Sequence, residues 1–185
     1  HGGAIFNDGT IGDITGNFIG NYAHGGEVAI GGAINNLATI GDITGDFIGN
    51  YAYGGQIAFG GAIYNYGTIS NITGDFIANH VKGGSALGGA ISNNGYTTGN
   101  ITGDFIGNYA SSAGDWGYGG AIYNNGNGNN ATIGNITGDF IGNYASVGYA
   151  YGGAIYNAHG TIGDITGDFI GNYATSSGGD GYGGA

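Results

Sequence analysis

Read for its apolar and polar positions, the chain is one pattern written six times. Ile-Thr leads into Gly-Asp-Phe-Ile-Gly-Asn-Tyr-Ala, intact at Gly45–Ala52, and after a loop of six to eight residues comes Gly-Gly-Ala-Ile. Variants of the octapeptide begin at Gly16, Gly74, Gly103, Gly138 and Gly167. The Ile-Thr marker starts at Ile14, Ile43, Ile72, Ile101, Ile136 and Ile165, 29 residues apart except for one step of 35. From that Ile to the end of the octapeptide the length never varies. Length changes fall in the loop before Gly-Gly-Ala, as at 111–118, and after Gly-Gly-Ala-Ile-x-Asn, where 125–131 holds the largest insertion. Fixed blocks with variable loops are the mark of stacked coils, whose strands stay in register while corners bulge outward.

The residue types select strands. Ile, Thr, Tyr and Phe fill the blocks, and the recurring Gly would cost a helix about 1 kcal/mol each. The pattern predicts three strands per unit, around Gly-Ala-Ile-Tyr-Asn, Thr-Ile-Gly-Asp-Ile and Asp-Phe-Ile-Gly-Asn-Tyr-Ala. Each unit then closes one coil of a parallel β-helix, a β-solenoid of about six coils over residues 1–185, with coils about 4.8 Å apart. Alternation predicts that Ile5, Ile34, Ile63, Ile91, Ile122 and Ile155 point inward. The mixed position that follows them (Phe6, Asn35, Tyr64, Ser92, Tyr123, Tyr156) is expected to face solvent. In the octapeptide both Phe and Ile are constant, which alternation cannot bury together, so a corner is expected beside Phe18, Phe47 and their equivalents.

Composition narrows the picture. Gly supplies 48 of 185 residues, without a third-residue period, and Pro, Cys and Met are absent. That excludes collagen, and the fixed apolar columns set the chain apart from flexible linkers. Glu27 and Lys82 are its only Glu and Lys, it has no Arg, and the net charge is −11. Binding to nucleic acid or to anionic membrane needs the cations this chain lacks. No apolar run is long enough to span a bilayer. The lack of Cys and near-lack of Lys and Arg suit an exposed extracellular protein without disulfides.

Each repeated position becomes a vertical column. Asn7, Asn36, Asn65, Asn93, Asn124 and Asn157 form one, and Asn21, Asn50, Asn79, Asn108, Asn143 and Asn172 another. Stacked amides can bond up and down such a column, and Asn also suits left-handed turns; both roles are structural. Asp46, Asp75, Asp104, Asp139 and Asp168 form a carboxylate column, in which neighbours repel by about 0.9 kcal/mol even at water-like dielectric. It is read either as a solvated acidic corner or as a weak calcium site. A second column alternates acid and amide: Asp13, Asp42, Asn71, Asn100, Asn135, Asp164. Asn71, Asn100, Asn135 and Asn130 stand in Asn-x-Thr sequons. Two Thr columns, led by Thr10 and Thr15, are five residues apart and so do not make an ice-binding pair on one strand face. The four His share no column, Lys82 is placed in a loop, and no singular acid–base cluster is visible, so catalysis is disfavoured. Tyr22, Tyr51, Tyr109, Tyr144 and Tyr173 line up, with His80 among them, and Ile30, Phe59, Leu87, Tyr118, Tyr151 and Tyr182 form a second column next to the loop that carries Trp116. That stripe is either a contact surface or packing beneath the loops.

The pairing of Gly31-Gly32-Ala33-Ile34 with Phe47-Ile48-Gly49-Asn50, repeated through the whole chain, resembles the Gly-Gly-Ala-Ile and Phe-x-x-Asn repeats of the polymorphic outer-membrane-protein family of autotransporters. The resemblance implies a right-handed parallel β-helix passenger, exposed at a cell surface, with adhesive roles. The near-identity of the repeats also fits a stalk or filament. His1-Gly2-Gly3-Ala4 stands in the same phase as Tyr182-Gly183-Gly184-Ala185, which predicts a window of a longer array or copies stacked end to end. The expectation is an extracellular, non-catalytic structural solenoid that associates with itself, end to end or laterally, or with surface glycans or a neighbouring cell. A carbohydrate-binding or polysaccharide-degrading β-helix protein is the alternative.

Overall fold

A computed structural model describes residues 1–112, 114, 116–126, 128 and 130–184. Ala113, Asp115, Asn127 and Asn129, in the two variable loops singled out above, and Ala185 lie outside the described residues. The described residues contain strands and no helix. They build six parallel sheets of six strands each, every strand pairing with its counterpart in the next coil. The molecule is a β-solenoid of about six coils. Register is column-true: Ile34 pairs Ile63, Phe47 pairs Phe76 and Tyr51 pairs His80.

Each coil has six short strands, where three were expected. In the second coil they are Ile34–Asn36, Thr39–Ile40, Ile43–Thr44, Phe47–Ile48, Tyr51–Gly54 and Ile57–Phe59. These define the first to sixth sheets. The expected long strands break into shorter pieces, in the second coil at Gly41–Asp42 and at Gly49–Asn50. Gly45 and its equivalents have φ near +147°, and a Cβ there would enter the carbonyl of the glycine one coil back. The sixth strand occupies the end of the loop before Gly-Gly-Ala and pairs from coil to coil, and the variation in length falls between it and the fifth strand. Lys82 accordingly sits in the strand His80–Gly83 and not in a loop.

The main core is a stack of like residues: Ile34, Ile40, Ile43, Phe47 and Ala33 in the second coil, with their equivalents above and below. The phenylalanines from Phe18 to Phe169 stack at 4.8 Å with planes within 6° of parallel. Burying each interior ring contributes about 1.5–3 kcal/mol. The octapeptide does not bury both apolar residues. On its two-residue strand Phe points in and Ile points out, and Ile19 is 63% exposed.

A second, thinner core lies between the fifth and sixth sheets, where Ala23, Ala52, Val81 and Ala110 meet Ala29, Ala58 and Ala86. Side chains this small let the two sheets approach as a narrow lobe. The lobe explains another departure. The column expected in solvent is buried at Asn35, Tyr64, Ser92 and Tyr123, and only Phe6 in the first coil is half exposed. It is covered by the outer column of the sixth sheet: Phe59 meets Tyr64 at 5.4 Å, and Tyr118 meets Tyr123 at 5.9 Å and Tyr156 at 4.6 Å.

Candidate functional site

The polar columns are best taken by what each side chain bonds. Along the first Asn column, each amide Nδ2 donates to the Oδ1 of the next coil's Asn: Asn7 to Asn36 at 2.7 Å, Asn36 to Asn65 at 2.8 Å, Asn65 to Asn93 at 3.0 Å, Asn93 to Asn124 at 2.8 Å and Asn124 to Asn157 at 2.8 Å. These amides also reach the carbonyls of the second sheet, as Asn7 does at Thr39 O, 2.9 Å. In the second column the joint is double. Asn50 Oδ1 accepts the backbone N–H and the amide of Asn21, and Asn79, Asn108, Asn143 and Asn172 accept the same pair from the coil before. The remaining amide proton goes to a phenylalanine carbonyl, Asn79 Nδ2 to Phe47 O at 2.7 Å. All four hydrogen-bonding positions of a middle-coil Asn are thus filled, as burial demands. Among the described residues, only Asn35 Oδ1 and Ser92 Oγ are buried side-chain polar atoms without a partner.

The carboxylate column is tied into the same scaffold. Asp46, Asp75, Asp104 and Asp139 each accept, through Oδ1, the backbone N–H of the following coil's Asp at 2.8–3.0 Å, ending at Asp168. One oxygen of each is therefore committed, and no group of three or more His, Cys, Asp or Glu poised to hold a metal occurs among the described residues. The alternating column behaves alike at the surface, where Asp42 N meets Asp13 Oδ1 at 2.9 Å and Asn135 N meets Asn100 Oδ1 at 2.9 Å. Its sequon residues Asn71, Asn100 and Asn135 are exposed, as is Asn130, which has φ +46°. Beside this column runs a groove lined by Asp42, Asn71, Asn100 and by Thr44, Thr73 and Thr102.

The aromatic stripe lies on the outer face of the fifth sheet. Ring centroids are 5.1 Å apart from Tyr22 to Tyr51, 4.3 Å to His80, 3.7 Å to Tyr109, 4.8 Å to Tyr144 and 5.0 Å to Tyr173. Interior rings are thus covered on both faces by their neighbours, leaving edges and hydroxyls to an outside partner. Burial raises the pKa of Tyr51, Tyr109 and Tyr144. Burial, and secondly Lys82, lowers His80 to about 4. Trp116 is half exposed and pairs in register with Tyr149 on the sixth sheet, apart from the stripe. Tyr123 is pushed up to about 12, chiefly by burial under the sixth sheet. His1 and His159 stand apart from the stripe, whereas His24 stacks beside Tyr22 at 5.9 Å and on Tyr53 at 5.3 Å.

Sequence reasoning overlooked the alanine lobe, for which the repeated Ala at the centre of Tyr-Ala and of the loop was the available signal. Compared with protein-family models, curated proteins and solved structures, the chain has no match.

Proposed function

We propose that this chain is the shaft of an extracellular or cell-surface structural protein, a stalk, adhesin or filament-forming solenoid without catalysis. The observation that carries the reading is that the columns best suited to chemistry are spent between coils: Asn on Asn, Asp on the next backbone N–H. Repetition also argues against an active site, which is singular. The Gly-Gly-Ala-Ile and Phe-x-x-Asn pairing supports a passenger resembling the polymorphic outer-membrane proteins, and with it a surface location. Partners on this reading are further copies of the chain, end to end or side by side, or glycans of a neighbouring surface. Electron microscopy with fibre diffraction of the native material tests it. Uniform fibres with a 4.8 Å layer line indicate assembly, discrete rods a single passenger, and particles of neither kind reject the shaft.

A second reading, polysaccharide binding, is favoured by the groove that offers Thr44, Thr73 and Thr102 beside Asp42, Asn71 and Asn100 on successive coils. Sugar stacking on the tyrosine stripe supports it less, since interior ring faces are already covered. A glycan array separates the two readings: retention of a linear polysaccharide, lost on Thr73→Val, favours binding over a purely structural role.

A further inference from the structure

We propose that the tyrosines on the fifth sheet are a site of oxidative coupling, at which a peroxidase-type one-electron oxidant joins neighbouring coils covalently through dityrosine. This goes beyond the structural role and does not depend on it.

Three observations meet here. The first is geometry. Tyr109 and Tyr144 stack at 4.8 Å with planes 3° apart, Tyr144 and Tyr173 at 5.0 Å and 1°, and Tyr22 and Tyr51 at 5.1 Å and 23°. Because the strands pair in register, each ring lies over its neighbour with like carbons facing like. The carbons ortho to the hydroxyls, which carry spin in a phenoxyl radical, are thereby brought to rung distance. The second is access. Tyr22 and Tyr173 are about half exposed and the others partly so, whereas the parallel phenylalanine stack is sealed in the core from Phe18 to Phe140 and has no hydroxyl. The third is the absence of competitors. The chain has no Cys or Met and a single Trp, so oxidising equivalents that reach it fall mainly on its 15 tyrosines. Without Cys it has no disulfide route to cross-linking either.

The step balances simply. Each of two neighbouring phenols gives one electron to the oxidised peroxidase and one proton to water. The two radicals form one carbon–carbon bond between ortho positions. The hydrogen on each of those carbons returns to its phenolic oxygen, so that two tyrosines and one hydrogen peroxide yield one dityrosine and two waters. His80 interrupts the series, 4.3 Å from Tyr51 and 3.7 Å from Tyr109. The stack is therefore two blocks, Tyr22–Tyr51 and Tyr109–Tyr144–Tyr173.

The test treats the whole chain with horseradish peroxidase and hydrogen peroxide, as a mixture of isotopically light and heavy protein. Cleavage on the N-terminal side of Asp separates stack partners onto different peptides. The expected products are linked peptides two hydrogens lighter than their sum, isotopically unmixed, joining Tyr22 to Tyr51 and Tyr144 to Tyr109 or Tyr173. Tyr144→Phe should abolish both of its links and leave the Tyr22–Tyr51 link unchanged. His80→Tyr should create new links to Tyr51 or Tyr109. Links that follow exposure and gather on Tyr96 and Tyr149, isotopically mixed links alone, or no dityrosine at all would overturn the proposal.

Discussion

Asn21 and Asn50 are joined twice, the backbone N–H and the side-chain amide of Asn21 both ending on Asn50 Oδ1 at 3.0 and 2.8 Å. The same joint deeper in the column sets the first expectation. In Asn79→Ala, the backbone N–H and amide of Asn50 both lose their acceptor in a buried site. Each orphaned donor costs about 1–3 kcal/mol, so a loss of about 3 kcal/mol or more is expected in denaturant unfolding. Asn100→Ala, at the surface, leaves the N–H of Asn135 to water and should stay within about 0.5 kcal/mol. Equal losses would mean that the ladder does not hold the coils.

The opposite facing of Phe and Ile gives a paired test. Phe76 is fully buried between Phe47 and Phe105, while Ile77 on the same strand turns outward. Phe76→Ala should cost about 3–5 kcal/mol. Ile77→Ala should cost well under half as much, read as the shift in denaturation midpoint.

Two glycine columns in the octapeptide should respond differently to alanine. A Cβ at Gly103 would enter the carbonyl of Gly74, whereas one at Gly107 meets nothing. The column of Gly107 already holds Ala78, at φ +51°. Gly107→Ala should therefore cost only the left-handed penalty, about 1–2 kcal/mol. Gly103→Ala should prevent the native coil from forming, seen as loss of soluble folded protein.

His80 makes stability depend on acidity. It lies between Tyr51 and Tyr109, with Ser111 Oγ 3.3 Å from Nε2 and Lys82 on the same strand, and its folded pKa is lowered to about 4. Between that value and the ordinary 6.5 the unfolded chain binds more protons than the folded one. The stabilisation held by neutral His80 is therefore complete above 6.5 and lost as pH falls through 4. The melting temperature should fall across that window more steeply in the native chain than in His80→Tyr.

Repulsion along the Asp column should make stability rise with salt. Neighbouring carboxylates share the rung spacing of about 4.8 Å, and screening shortens from about 10 Å at 0.1 M to 3 Å at 1 M. Melting temperature should climb with sodium chloride, and calcium should add nothing beyond an equal ionic strength of magnesium. A rise specific to calcium and reversed by EDTA would instead put ions between the carboxylates.

The repeat period and the inward Ile5, Ile34 and Ile63 column were legible in the sequence because parallel in-register stacking turns each repeated letter into a column. What escaped was local. Thr39–Ile40 and Ile43–Thr44 read as one strand, since composition does not mark the break between them, where Gly41 has Ser70 as its counterpart one coil on. Ile48 looked like core because its constancy is that of Phe47, yet a two-residue strand can turn only one of them inward. Tyr64 and Tyr123 looked external because their column is mixed. They are covered by a lobe built on Ala52 and Ala58, residues too small to announce a core. Of the candidate columns, sequence placed the members, but their bonding partners had to come from three dimensions. The acceptance of each Asp backbone N–H by the preceding carboxylate has no signature in composition.

In both asparagine columns the amide-to-amide bond runs toward the coil of higher number, from Asn7 through Asn124 and from Asn21 through Asn143, whereas along the Asp column each backbone N–H donates to the carboxylate of the coil before. Each of these columns is therefore vectorial: along the amide chain an asparagine offers hydrogen to the next coil and oxygen to the coil before, and along the Asp column the sense is reversed. A rung laid on upside down would set donor against donor, while one laid on in the same sense continues both wires. Growth of such a column has a built-in arrow, and two columns can be spliced only with their arrows aligned.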